Sequence, residues 1–204
     1  MPFRRVLSVI AVLAVAACAQ PPIPTDTFYR LDVADPAPAG GAPVFDGIIE
    51  VQAFAADGLA SERALIYSEP GTPTLRQYSY HFWVEAPTEA VQRELTDHLR
   101  ASGLFGKVVT PRFRVRPDLE IQGRIARLEQ YLEGNGTARV VAEVELGAQR
   151  TGRGLGLVML ETYRIERPAA NASPTAAAEA LRDAMGEIFA RFTTDLAAKL
   201  TAGS

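Results

Sequence analysis

The sequence predicts an α+β fold: one domain in which a mainly antiparallel sheet carries two helices on one face, held behind a lipidated tether. Three observations carry this. Apolar residues alternate along Leu119–Ile125 and Ala138–Leu146, two segments recur at helical spacing (Val91, Leu95, Leu99 and Leu181 to Leu200), and a proline-rich stretch follows Cys18, the only cysteine of the 204-residue chain. Alternation marks strands with one buried face, and the 3.6-residue repeat marks helices that need a sheet to cover.

The chain begins with Arg4 and Arg5, then an apolar run from Val6 to Ala17, and closes that run with Val15-Ala16-Ala17-Cys18. A basic start, a short apolar core and small residues before a cut site are the parts of a secretory signal. The run is well short of the ~20 residues that span a bilayer. Residues 1–17 are therefore expected to be removed as a lipoprotein signal peptide, leaving Cys18 to carry a diacylglyceryl group on its thiol. Each buried methylene adds about 0.8 kcal/mol of membrane affinity and a single chain anchors only marginally. The several chains of a lipoprotein cysteine would hold the protein firmly. Ala19, rather than Asp, follows the cysteine, which resembles the sorting pattern for the outer membrane.

Between Ala19 and Pro43 stand Pro21, Pro22, Pro24, Pro36, Pro38 and Pro43, so residues 18–46 read as an extended spacer. Phe28-Tyr29-Arg30-Leu31-Asp32-Val33 interrupts it with a strand-like alternation. The compact domain is expected over residues 47–204. Ile48 to Phe54 reads as a strand, and Ala64–Tyr67 and Thr74–Tyr80 flank Pro70-Gly71 as a hairpin. Pro87 opens a helix where its missing N–H is harmless, and Gly103 suits the left-handed residue beyond its end. Lys107–Thr110 is a short strand. The strands that follow meet at Gly134-Asn135-Gly136 and Gly152-Arg153-Gly154, both natural turns. Leu157–Ile165 starts apolar on both parities, so it is either a central strand or a contact surface. Ser173-Pro174 then supplies a cap and a first helical residue for a helix to about Leu200. Its stripe of Leu181, Met185, Ile188, Phe189, Phe192, Leu196 and Leu200 either covers the sheet or meets a partner.

Loss of Arg4 and Arg5 takes the 21 basic side chains to 19 against 24 acids, a net charge of −5. That balance argues against nucleic acid and offers no polybasic membrane patch. No catalytic constellation is legible. His81 and His98 lack the neighbours of a zinc site, so no metal or cofactor is expected. Gly152-x-Gly154-x-Gly156 lies between strands, whereas a phosphate cradle needs a helix after it. Ser61 and Ser68 have no nucleophile-elbow context, and Glu143 and Glu145 sit on a strand's solvated face. The densest unusual stretch is Tyr78-Ser79-Tyr80-His81-Phe82-Trp83. Its Tyr78, Tyr80, Phe82 and Trp83 either pack in the core or form a contact site for a partner or lipid.

At these residues the chain resembles the ABC-type transport auxiliary lipoproteins, the group that includes the paraquat-inducible lipoprotein partner of lipid-transport systems. The likeness rests on the Cys18 lipobox, Phe28-Tyr29-Arg30-Leu31, Ile49-Glu50-Val51, Leu65-Ile66-Tyr67, Tyr78 with Trp83 and Pro87, and Leu99-x-x-Ser102-Gly103-Leu104-Phe105. The resemblance implies a non-enzymatic lipoprotein on the periplasmic face of the outer membrane. Its implied partners are an ABC permease, its ATPase and a mammalian-cell-entry (MCE) substrate-binding protein; homo-oligomerisation is left open. Such systems move phospholipids or other hydrophobic molecules between membranes. A structural lipoprotein supporting envelope or outer-membrane protein assembly is the alternative.

Overall fold

The computed structural model describes residues 24–152 and 156–202. Its strands are β1 (Thr27–Tyr29), β2 (Phe45–Val51), β3 (Ala55–Ala56), β4 (Ala64–Ser68), β5 (Leu75–Trp83), β6 (Phe105–Val109), β7 (Leu119–Gly134), β8 (Thr137–Arg150) and β9 (Gly156–Pro168). Helix α1 spans Pro87–Ala101 and helix α2 spans Pro174–Ala202.

The long β7 is the spine of the sheet. Along one edge it pairs in turn with β2 (Ile49 beside Leu119), β3 (Ala55 beside Arg124) and β4 (Ile66 beside Glu129), each parallel. Its other edge pairs antiparallel with β8, which pairs antiparallel with β9. The β4–β5 hairpin is antiparallel, while β1 joins β5 and β6 joins β2 in parallel. The predicted α+β class is the observed one, and the antiparallel meander β7–β8–β9 dominates it; the sheet as a whole is mixed. The order β1-β5-β4-β7-β8-β9 places β1 and β9 at opposite edges.

Both helices cover one face. Val91, Leu95 and Leu99 of α1 and the whole predicted stripe of α2 are buried in one cluster with Leu119, Ile121, Ile125, Val140, Val144 and Leu146. The α2 stripe therefore covers the sheet. The ends of the helices are built from the residues that announced them. The Ser173 hydroxyl accepts the Ala176 N–H at 3.2 Å, ahead of Pro174 at the first helical position. Gly103 takes the left-handed φ of 68° after α1.

Two expectations change. From Thr27 onward the proline-rich spacer is strapped to the domain: β1 joins β5, Leu31 is buried in the core, and the strap crosses the face of α1. Proline removes some of the segment's donors, and two of those present are satisfied at the helix and its cap. The Val33 N–H donates to Glu94 Oε2 at 2.7 Å and the Ala39 N–H to the Ser102 carbonyl at 2.8 Å. Secondly, β9 lies at the edge of the sheet with β8 as its neighbour, so of the two readings of Leu157–Ile165 the central strand fails. Met159, Tyr163 and Ile165 point into the core, whereas Leu157 and Leu160 are 69% and 55% exposed.

Candidate functional site

The predicted lipidation residue, Cys18, lies outside the described residues, as does the Arg153-Gly154 part of the second glycine turn. The described chain begins at Pro24 and enters the sheet three residues later through β1.

The aromatic run sits where β1 meets β5, and the fold divides it. Ala64 pairs with Phe82 but Ile66 with Gln77, so Tyr78–His81 bulge from the ladder opposite the single residue Leu65. Tyr78 turns inward. Its ring lies 4.4 Å from that of Tyr67, and its hydroxyl donates to Gln130 Oε1 at 2.7 Å. Burial, with the Tyr67 and Tyr29 hydroxyls nearby, pushes the Tyr78 phenol up to about 12. Trp83 is also buried, its backbone N–H bonded to the Arg63 carbonyl at 2.6 Å. These two residues complete the core.

Phe82 faces β1, and Tyr80 is exposed within the bulge. Phe82 packs against Phe28 of β1 at 5.8 Å between ring centroids, and Phe28 and Tyr80 are 53% and 40% exposed. The Arg63 guanidinium lies 5.7 Å from the Phe28 ring centroid, with its Nε donating to the Trp83 carbonyl at 3.2 Å. Asp26, Glu62 and Gln77 border the open depression beside these rings, about 420 Å³ in volume. Of the four predicted contact residues, the structure therefore leaves Tyr80 and Phe82 accessible, adds Phe28, Arg63 and the exposed Val84, and withdraws Tyr78 and Trp83 into packing. Phe28 was missed because a spacer residue offers no neighbour until β1 is known to pair with β5.

A second concavity, about 360 Å³, lies on the sheet face away from the helices. Gln122, Arg124, Glu145, Gly147, Leu157 and Leu160 line it. Arg124 is held between Asp57 and Glu145, so its charge is matched. The signal in the sequence was the double-parity apolar start of β9.

The polar residues weighed for catalysis are scattered. Ser61 Oγ donates to the Gly58 carbonyl at 2.8 Å, Glu143 pairs with Arg164 at 2.7 Å, and His81 shares a 2.8 Å hydrogen bond with Tyr29. His98 is buried against Phe189 at 5.7 Å with neither ring nitrogen hydrogen-bonded, and burial lowers its pKa. Among the described residues, no three His, Cys, Asp or Glu side chains converge to hold a metal ion, and no helix is long and apolar enough to cross a membrane.

Among solved structures, a protein from Xanthomonas campestris superposes with a TM-score of 0.73 at 17% identity, covering 87% of this chain and all of its own. An uncharacterized protein superposes at 0.66 and 12% identity, covering 84% of this chain and 98% of its own. At these identities the likeness concerns the fold. No curated protein matches the chain. The family model described as "ABC-type transport auxiliary lipoprotein component" matches residues 29–192, from β1 into the second half of α2. With the match extending over the strap, every strand from β2 to β9, all of α1 and the larger part of α2, the chain belongs to the ABC-type transport auxiliary lipoprotein family.

Proposed function

We propose that this protein is the lipid-anchored, non-catalytic component of an ABC transport system for phospholipids or other hydrophobic molecules. In this reading Cys18 carries the acyl chains and holds the domain at the periplasmic face of the outer membrane. There the domain docks an MCE-family protein that works with the permease and ATPase of the same system.

The observation that carries the reading is the family match over residues 29–192 on a chain that also presents Val15-Ala16-Ala17-Cys18. The surface is consistent with it: exposed apolar side chains include Phe28, Tyr80 and Val84 on β1, on β5 and just after it, and Leu157 and Leu160 on β9, as suits a part that works by contact. Affinity purification from gently solubilised envelopes, followed by mass spectrometry of proteins and lipids, tests it. The reading expects a permease, an ATPase and an MCE protein to co-purify. Recovery of outer-membrane protein assembly factors in their place would overturn it in favour of a structural envelope lipoprotein.

A further inference from the structure

We infer that the β1–β5 edge, carrying Phe28, Tyr80, Phe82 and Val84, is the surface the domain lays against the bilayer that holds its anchor. The inference rests on lipidation at Cys18 and goes beyond the transport reading, since it assigns a face and an orientation.

Chain length supplies the first argument. Six positions separate Cys18 from Pro24, and an extended chain covers at most ~3.6 Å per residue, so the domain's entry point lies within ~22 Å of the lipidated residue. Beyond Pro24 the chain enters β1 and is then fixed. Thr27, Phe28 and Tyr29 pair with His81, Phe82 and Trp83, and the strap continues on hydrogen bonds to α1. The anchor thus pulls on the sheet edge at β1, and that edge is brought to the membrane before any other.

The second argument is composition. Phe28 and Tyr80 are 53% and 40% exposed, and Val84, whose N–H bonds the Tyr29 carbonyl at 2.9 Å, is exposed just beyond the end of β5. Aromatic rings with polar neighbours suit the boundary between headgroups and acyl chains. Arg63 lies over Phe28 and can run its stem along the ring while its charge reaches a phosphate. Asp26 and Glu62 border the same depression and offset that charge. Contact through rings, with two carboxylates beside the one guanidinium, should therefore gain nothing from anionic lipid. A protein partner on the same edge is the competing occupant, and it would require the edge to stand clear of the bilayer.

The test uses the lipidated protein reconstituted into phosphatidylethanolamine vesicles whose acyl chains carry bromine, a short-range quencher of tryptophan. Phe28→Trp is compared with Leu157→Trp on β9 at the opposite edge, each measured above the unchanged chain with its own Trp83. Tyr80→Trp serves as a second probe should the first fail to fold. Several-fold stronger quenching at position 28 or 80 than at 157, not strengthened when phosphatidylglycerol is added, is expected. Equal quenching at both edges, or stronger quenching at 157, would overturn the assignment. The readout needs no transporter or cargo, so its failure leaves the transport reading standing, and failure to recover partners does not touch it.

Discussion

The backbone N–H of Val33 donates to the carboxylate of Glu94 at 2.7 Å, one of the contacts that tie the proline-rich strap to the helix covering the sheet. Glu94 is buried and also pairs with Arg93, while burial raises its pKa. A partly buried N–H with no acceptor costs about 1–3 kcal/mol. Glu94→Ala should lose about that much stability in urea denaturation and speed amide exchange in residues 30–39. Loss of stability with unchanged exchange in the strap would show that the contact does not hold it.

A second prediction concerns the core. Phe189 is fully buried between α2 and the sheet, against His98. Phe189→Ala should cost about 3–5 kcal/mol through lost contacts and a cavity, and Phe189→Asp more, because an unpaired charge would be added. Thermal melting of the chain begun after Cys18 decides it. An unchanged melting temperature would mean that this side of α2 is open to a partner.

His98 makes stability depend on pH. Its folded pKa lies below the ordinary value, so between the two the unfolded chain binds more protons than the folded one. Stability should then fall as pH drops below about 6.5, by at most about 1.4 kcal/mol per unit for one proton. His98→Leu should flatten this stretch of the profile, measured by urea midpoints between pH 7.5 and 5.5. An identical slope in the variant would assign the effect elsewhere.

Gly123 faces Phe54 so closely that a Cβ at that position would stand 2.1 Å from Phe54 Cε1. Gly123→Ala must displace the ring and should cost about 1–3 kcal/mol. The double variant Gly123→Ala, Phe54→Leu should recover part of the loss, and additive losses would contradict the contact.

The parts of this fold that were legible are those with local chemistry. The Ser173-Pro174 cap, the left-handed Gly103, the hairpin at Pro70-Gly71 and the strand alternation all sit within a few residues of what they specify. The parallel pairings of β7 with β2, β3 and β4 were not legible, since parallel neighbours are joined by crossovers and share no turn residues. Leu31 illustrates the same limit. Proline-rich neighbours make its segment resemble a free spacer, and only acceptors on α1, dozens of residues away, reveal that it is bound. At the candidate contact site, alternation treats Tyr78 to Trp83 as one regular strand. The bulge opposite Leu65 shows why Tyr78 turns inward while Tyr80 stays out.

The central claim is that the protein acts through its membrane address and its contacts, with no side chain doing chemistry. The most direct measurement is detergent sensitivity of a strain lacking the protein and expressing Cys18→Ser, Ser61→Ala, Ser68→Ala or His81→Ala, with levels checked by blotting and acylation by a labelled fatty acid. The account predicts that Cys18→Ser takes up no label, leaves the membrane fraction and fails to restore the barrier, while the three alanine variants restore it. Full labelling of Cys18→Ser, or complete loss of function in a folded and abundant alanine variant, would contradict it.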